Sequence, residues 1–190
     1  MNLFVKIVAK INSILFYPLQ FKKFGRKSLI LRPLSLEGKN NIEIGEHAII
    51  QEYTWLAANP LTGEDVSLIV GRECVIGHFN HRYATKSIVL EDYVLTADRV
   101  YITDNLHQYD NPNVPIILQP IKQISPVRIG EGSWLGENVC VIGANIGKHC
   151  VIGANSVVTH DIPDYSIAVG VPAKVIKKYN FETKVWEKVN

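Results

Sequence analysis

The stretch VIGANIGKHCVIGAN, residues 141–155, contains the pentapeptide VIGAN twice, with its copies ten residues apart. A shorter period underlies this repetition, because aliphatic residues recur here at a spacing of six. The residues in this part of the repeat are Ile129, Leu135 and Val141, followed by Ile146, Ile152 and Val158. Ten is not a multiple of six, so the two VIGAN copies fall in different phases, and the underlying period is six.

The same spacing of six occurs earlier in the chain. Its members there are Ile44 and Ile50, Val70 and Ile76, then Leu90, Thr96 and Ile102. An amphipathic helix repeats every three or four residues and an ordinary strand every two, so neither explains the pattern. A six-residue unit cannot bury its own apolar side chain, and three such units make one coil of about 18 residues. The sequence therefore predicts an all-β parallel β-helix, with Gly, Asn and Asp at its tight corners.

Two interruptions of the period predict insertions. Ile102 and Ile129 are 27 residues apart, which is four units and three extra residues, so a loop of about residues 105–125 leaves the solenoid. Residues 57–67 are expected to form a second, smaller excursion. A further irregularity is the five-residue step from Val141 to Ile146, which makes one corner a residue short. Loops inserted in a solenoid usually lie on its binding face.

The two ends of the chain have a different character. Near the N-terminus, an apolar helical face is formed by Phe4, Ile7, Val8, Ile11 and Leu15. One interpretation is a helix that packs this face on the end of the solenoid; another is a helix on a membrane surface, beside the basic segment at 21–27. We expect three parts: an N-terminal helix and linker at 1–28, the β-helix at 29–172, and a charged C-terminal extension at 173–190.

Composition limits the functional class. The 190 residues suit one domain, and a net charge of +2 without a long basic block argues against nucleic-acid binding. Cys74, Cys140 and Cys150 form no CxxC motif, so no disulfide framework or structural zinc site is expected, and a reducing cytoplasm is the natural compartment. No signal peptide is evident. Lys6 and Lys10 interrupt the apolar N-terminal run, so no membrane span is expected either.

The repeat, the insertion with ITDNLHQYDNP and the segment from Val127 to Lys177 resemble the hexapeptide-repeat acyltransferases. The resemblance is closest to sugar O-acetyltransferases of the galactoside, capsular-polysaccharide and O-antigen type, and it covers about residues 40–178. It implies a left-handed β-helix, a homotrimer with active sites between neighbouring chains, acetyl-CoA as acyl donor, no metal, and a saccharide acceptor. The expected location is cytoplasmic, or the inner face of the membrane if the N-terminal helix contacts lipid.

The resemblance also implies roles for single residues. His107 stands where these enzymes have the catalytic base, and a histidine titrates in the range needed to take a hydroxyl proton at neutral pH. Asp104 and Asp110 flank it and are candidates to orient its ring. The residues expected to bind acyl-CoA are Trp134, Glu137, Ala154, Thr159, His160, Lys174 and Lys177. The weaker candidates for acceptor binding are Asn80, His81, Thr85 and Asp104.

The chain departs from the family at several of these places. Asn105 replaces the first histidine of the usual D-H-x-H, and Gly77 and Thr85 stand where galactoside enzymes carry sugar-contacting Asn and Asp, which argues against a galactoside acceptor. Two other functions remain open. One is a γ-class carbonic anhydrase with zinc on His78, His81 and His107, although that family spaces its histidine pair differently. The other is a structural solenoid without catalytic activity.

Overall fold

The computed structural model describes residues 3–63 and 65–189. The chain forms a left-handed parallel β-helix, preceded by a helix and closed by a C-terminal hairpin, which confirms the predicted fold. Met1 and Asn2 of the predicted N-terminal segment and Glu64 of the predicted smaller excursion lie outside the described residues.

Three sheets form the sides of the solenoid, and their parallel strands come from successive coils. Sheet A contains β1 (Lys23–Phe24), β4 (Ile42–Ile44), β7 (Ser67–Val70), β10 (Ser87–Leu90) and β15 (Val127–Ile129). Sheet B contains β2 (Leu29–Ile30), β5 (Ile49–Ile50), β8 (Val75–Ile76), β11 (Leu95–Thr96), β16 (Trp134–Leu135), β18 (Val151–Ile152), β20 (Ser166–Val169), β21 (Lys174–Asn180) and β22 (Val185–Lys188). Sheet C contains β3 (Ser35–Glu37), β6 (Trp55–Ala58), β9 (His81–Ala84), β12 (Tyr101–Thr103), β17 (Cys140–Ile142) and β19 (Val157–Val158).

The period-six residues form the core. In sheet A, Ile44, Val70, Leu90 and Ile129 pair in register on adjacent parallel strands, and each is fully buried. The other predicted repeat positions are equally buried, with at most 1% of any residue exposed. Sheet A continues past β15 only as single bridges at Ile146 and Ile162, so the shortened corner after Val141 keeps the stacking in phase.

The corners differ from the prediction in the residues that they use. The corner between sheets B and C places Tyr53, Phe79, Arg99, Asn138 and Asn155 at φ between 55° and 60°. Only the two asparagines belong to the residue types expected there. Each N–H from Phe79 onward donates to a carbonyl of the coil below, and the Tyr53 and Phe79 rings stack with centroids 5.1 Å apart. Stacking between coils offsets the cost of left-handed backbone for bulky residues.

The N-terminal helix comprises α1 (Leu3–Ile11), a π-helical turn (Asn12–Phe16) and α2 (Tyr17–Gln20). It caps the solenoid, but the predicted packing face is wrong. The side that is buried carries Ala9, Ser13 and Tyr17, four residues apart, and Tyr17 joins the core with Phe21. The residues predicted to pack inward are instead exposed, namely Phe4, Ile7, Val8, Ile11 and Leu15.

By length and composition alone, the helical stretch from Leu3 to Gln20 could cross a membrane. Lys6 and Lys10 lie within this stretch, so a criterion of uncharged apolar residues does not select it as a possible membrane span.

The segment boundaries also differ from expectation. The first strand, β1, pairs with β4 and lies within the predicted linker, so the solenoid begins before residue 29. At the other end, β21 and β22 pair antiparallel to β20 and to each other and extend sheet B. The large insertion is ordered as an antiparallel pair, β13 (Asn105–His107) and β14 (Ile121–Gln123), with a 3-10 turn at Ile116–Leu118 between them.

One core position holds a charged residue that the periodicity did not reveal. Arg82 pairs in register between Leu56 and Ile102, and it is fully buried. Its Nη2 donates to Asn80 Oδ1 and Thr96 Oγ1, each at 3.2 Å. Its Nε and Nη1 have no hydrogen-bond partner among the described residues, and burial lowers the pKa of the guanidinium to about 9.

We expect Arg82→Met to stabilise the protein by about 1–3 kcal/mol, because it replaces a buried, incompletely paired cation with an apolar chain of similar length. Asn80 and Thr96 remain hydrogen-bonded to each other, and Asn80 Nδ2 keeps two carbonyl partners. The measurement is the free energy of unfolding in urea at fixed protein concentration. The control, Arg128→Met, changes an exposed arginine and should stay within about 1 kcal/mol of wild type. Destabilisation by Arg82→Met would contradict this interpretation.

Candidate active site

The insertion leaves the solenoid at the corner between sheets C and A, where Asp104 fixes its base. Asp104 is fully buried, and its carboxylate accepts hydrogen bonds from the backbone N–H groups of Thr85, Lys86 and Ser87 at 2.7–2.8 Å. It also accepts from Asn105 Nδ2 at 3.0 Å. A carboxylate with this many donors acts as a fixed structural anchor, because moving it would leave several buried N–H groups without acceptors.

Gln123 joins the returning strand of the insertion to the same anchor, a role that the sequence did not indicate. Its Nε2 donates to the carbonyl oxygen of Asp104 at 2.7 Å, and its Oε1 accepts from Thr85 Oγ1 at 2.8 Å and Thr62 Oγ1 at 3.3 Å. The insertion is therefore clamped at both strands. No sequence motif marks Gln123, since its partners lie up to 61 residues away.

His107 ends the first strand of this clamped hairpin, pairs in register with Ile121, and is exposed. Its ring has no hydrogen-bond partner among residues 3–63 and 65–189. The expectation that Asp104 or Asp110 orients the ring is not met within one chain. Asp104 is occupied by the backbone amides, and Asp110 contacts Gln108 and Lys122. His107 is thus held by backbone pairing and presented outward.

Three of the four acceptor candidates lie inside the protein. Thr85 and Asp104 belong to the buried anchor, and Asn80 is buried with Arg82 and Thr96 in the interior of the coil. None of the three is placed to touch a ligand at the surface. Their polar side chains, which the sequence suggested for binding, stabilise the corner and the core instead.

His81, the fourth candidate, lies on the outer side of sheet C. Its ring stacks on Trp55 with centroids 4.3 Å apart and packs beside Tyr83 and Tyr101. Burial, with the charge of Arg82 as a second cause, lowers its pKa, so the ring is neutral near pH 7. The stacked rings cover one another's faces along the solenoid axis. The edge nitrogens His81 Nε2 and Trp55 Nε1 are buried and have no hydrogen-bond partner among the described residues.

The zinc alternative needs His78, His81 and His107 to converge, and they do not. His78 Nδ1 lies 3.1 Å from Asp98 Oδ1, while His81 is stacked in the aromatic row on sheet C. Within the described part of the chain, no group of three or more His, Cys, Asp or Glu side chains is placed to hold a metal ion.

The three cysteines are free, and burial raises the pKa of Cys74 to about 11.

The acyl-CoA candidates lie in the last coils and the C-terminal hairpin. Trp134 is 46% exposed on the outer face of sheet B, and its register continues through Val151 and Ile167 to Lys177. Three strand spacings separate Trp134 from Lys177, which is about 14 Å. Lys174 pairs with Val169 in the same hairpin and is exposed.

The corner between sheets B and C adds Glu137 and Ala154. Both are exposed, and the Glu137 carboxylate is paired with Arg99 at 2.7 Å, while its carbonyl accepts from the N–H of Asn155. A Cβ on Gly153 would come within 2.7 Å of Val169 Cγ1, so a larger residue there would displace that side chain. The corner thus has exposed backbone with little side-chain cover.

Thr159 and His160 follow the last strand of sheet C, with Thr159 Oγ1 and His160 Nδ1 3.0 Å apart. Val141 pairs in register with Ile102 and with Val158, so Thr159 and His160 lie at the same corner between sheets C and A from which the insertion departs. The other acyl-CoA candidates lie on sheet B and at a second corner, between sheets B and C. Among the described residues, no hydrogen bond or ion pair joins the insertion to that second corner.

Known proteins share parts of this sequence. A family model described as the hexapeptide repeat of succinyl-transferase matches residues 126–160. WbbJ of Escherichia coli strain K12, named for O-acetyl transfer in lipopolysaccharide biosynthesis, is 42% identical over 121 residues, covering 60% of this chain and 61% of WbbJ. Over part of its length, the chain is thus similar to hexapeptide-repeat acyltransferases. Rv3034c of Mycobacterium tuberculosis, named as an acetyltransferase, is 45% identical over 120 residues, covering 63% of this chain and 40% of its own length. The chain thus spans less than two thirds of these relatives of the acyltransferase family.

Solved structures support the same fold at lower identity. AntD, an N-acyltransferase from Bacillus cereus solved with dTDP and 3-hydroxybutyryl-CoA, superposes with a TM-score of 0.72 at 20% identity over 87% of each chain. A perosamine N-acetyltransferase from Caulobacter crescentus, solved with CoA and GDP-perosamine, gives a TM-score of 0.57 at 21% identity over 80% of this chain and 57% of its own. At 20% and 21% identity, these matches show that the fold is shared and nothing further.

We expect Asp104→Ala to destabilise the protein by about 2–4 kcal/mol, because it leaves the N–H groups of Thr85, Lys86 and Ser87 without their acceptor. Asp110→Ala is the matched control: this carboxylate is exposed, and its removal should change the free energy of unfolding by no more than about 0.5 kcal/mol. Both values come from urea unfolding followed by far-UV circular dichroism. Equal effects of the two substitutions would contradict the anchoring role.

Proposed function

We propose that this protein transfers an acetyl group from acetyl-CoA to a hydroxyl of a sugar or saccharide intermediate, with His107 as general base. The observation that carries the proposal is the exposed His107 on a hairpin whose base is clamped by Asp104 and Gln123. A catalytic base must be both accessible to substrate and fixed in position. The acetyltransferase names of WbbJ and Rv3034c support the reaction class.

In this proposal acetyl-CoA supplies the acetyl group as a thioester. His107 takes the proton of the acceptor hydroxyl as the hydroxyl oxygen bonds to the thioester carbonyl carbon. The carbon–sulfur bond then breaks, and the imidazolium of His107 returns the proton to the departing sulfur. No metal is needed for these proton transfers.

The residues at the second corner suit a long, slender, anionic donor. Exposed backbone around Gly153 and Ala154 leaves room for a pantetheine arm, and the Trp134 ring supplies an apolar surface beside it. Lys174 and Lys177 add positive charge for the phosphates. Arg99 neutralises the Glu137 carboxylate, which would otherwise repel the donor.

We further propose a homotrimer in which His107 of one chain meets the donor corner of its neighbour. The tip of the insertion supports this arrangement, because Ile116, Ile117 and Leu118 are 55%, 78% and 73% exposed. Apolar side chains clustered on a loop tip are typical of a surface covered by another chain. The acceptor is a saccharide by analogy with the substrates in the names of WbbJ and the perosamine enzyme. Oxygen rather than nitrogen acetylation follows the name of WbbJ.

We expect His107→Ala to lower kcat by about 10²–10⁴-fold, because the general base is lost. The dissociation constant of acetyl-CoA, measured by isothermal titration calorimetry, should change less than about twofold, since in this proposal His107 acts on the acceptor hydroxyl and does not hold the donor. Turnover is followed as release of CoA thiol with a panel of sugars, nucleotide sugars and amino sugars. Comparing each sugar that carries only hydroxyls with its matching amino sugar decides between oxygen and nitrogen acetylation.

His47→Asn is the matched control for this experiment. His47 lies at a corner with φ of 59°, a conformation that asparagine tolerates. It belongs to an earlier coil than the one that carries the insertion. Its turnover should equal that of wild type. Unchanged turnover in His107→Ala would refute the base assignment, and absence of acetyl-CoA binding at millimolar concentration would refute the donor.

We expect Ile117→Ser/Leu118→Ser to convert a trimer to monomers in sedimentation velocity, because the substitutions remove the apolar tip of the insertion. Turnover should fall with the trimer fraction, since each site needs two chains. Val185→Ser, an exposed apolar position 52% accessible in β22, is the control and should remain trimeric. A wild-type protein that sediments as a monomer would overturn the shared site.

A further inference from the structure

The outer side of the N-terminal helix is apolar and open to solvent. Tyr17 and its neighbours on the packed side contact the first coil, whereas Phe4, Ile7, Ile11 and Ile14 are 71%, 48%, 45% and 70% exposed. Further apolar residues extend this face, namely Leu3, Leu15, Phe16 and Leu19. An apolar surface of this size, continuous along 18 residues, is unusual for a face that stays in water.

The surroundings of this face are strongly basic. Residues 1–36 contain seven of the 20 lysines and arginines and none of the 18 acidic residues, so this end of the chain carries +7 while the rest carries −5. Lys22 and Arg26 pair with Glu43 and Glu46 of the next coil. The remaining lysines of the helix and of the segment after it have no acidic partner among the described residues; they are Lys6, Lys10, Lys23 and Lys27.

We propose that this helix binds the surface of an anionic phospholipid membrane, with its apolar side in the acyl boundary and its lysines at the headgroups. An apolar face with lysines beside it is the pattern of an interfacial helix, and each lysine near an anionic surface contributes about 1 kcal/mol. The helix lies in the plane of the interface and does not cross the membrane. Its Ala9, Ser13 and Tyr17 side is packed on the β-helix, and a spanning helix would have to leave that contact.

A second copy of the chain is a poorer occupant for this face. Two such ends would bring together two basic segments, each with five cations left after Lys22 and Arg26 pair with Glu43 and Glu46. Like charges at close range oppose association, whereas phosphate headgroups complement them. The inference does not depend on the acetyl-transfer reaction, and its test needs no acetyl-CoA.

The test is cosedimentation of the full-length protein with vesicles of phosphatidylcholine alone and of phosphatidylcholine with about 30% phosphatidylglycerol. We expect binding to the anionic vesicles at low salt, at least about tenfold weaker binding to the neutral ones, and release by salt. Lys6→Gln/Lys10→Gln/Lys23→Gln/Lys27→Gln should weaken binding to the anionic vesicles by about tenfold or more. Lys178→Gln/Lys188→Gln, in the C-terminal hairpin, is the charge control and should bind like wild type.

Ile7→Ser/Ile11→Ser/Ile14→Ser tests the apolar contribution and should also lose about tenfold or more in affinity. All three side chains are exposed, so the fold should persist, which circular dichroism checks. The proposal is overturned if wild type ignores both vesicles, or if this variant binds them like wild type. It is also overturned if the variant changes the sedimentation coefficient of the protein without lipid, because a second copy would then cover the face.

Discussion

The structure depends on one constraint: each six-residue unit supplies only one or two apolar side chains, which are buried only when the coils above and below are in place. Ile44, Val70, Leu90 and Ile129 show this stacking in sheet A, where neighbours in space are 20 or more residues apart in sequence. Stability is therefore shared between adjacent coils and grows with their number. The register that aligns these side chains also aligns everything attached to the corners, including the insertion that carries His107 and the exposed backbone near Ala154.

The part of the fold that periodicity controls could be predicted from the sequence. The 27-residue gap from Ile102 to Ile129 predicted the insertion, because 27 is not a multiple of the six-residue period. The core position of Arg82 could not be predicted, because a charged residue interrupts the aliphatic period by which core positions are recognised. The face of the N-terminal helix was misassigned because spacing shows that apolar residues share a side. It does not show whether protein or another apolar phase covers that side.

The candidate site was predictable only in part. Resemblance to the family pointed to His107, but the contacts that hold its hairpin join residues far apart in the chain, as Gln123 does with Thr62. Such contacts have no local signature. Thr85 and Asn80 were predicted to bind the acceptor, but both are buried. A polar side chain near an expected site can bind a ligand or hydrogen-bond within the protein, and only its burial and its partners distinguish these roles.

The C-terminal hairpin has a consequence for how solenoids meet one another. A parallel β-helix ends in open strand edges, and an uncovered end could template a second molecule and grow into a filament. Here the chain reverses direction after β20, and the outermost strand is antiparallel and carries Glu187 and Lys188. At the opposite end, the helix and the Tyr17 and Phe21 rings cover the first coil. The charged antiparallel edge of sheet B and the covered first coil therefore disfavour end-to-end growth of the solenoid.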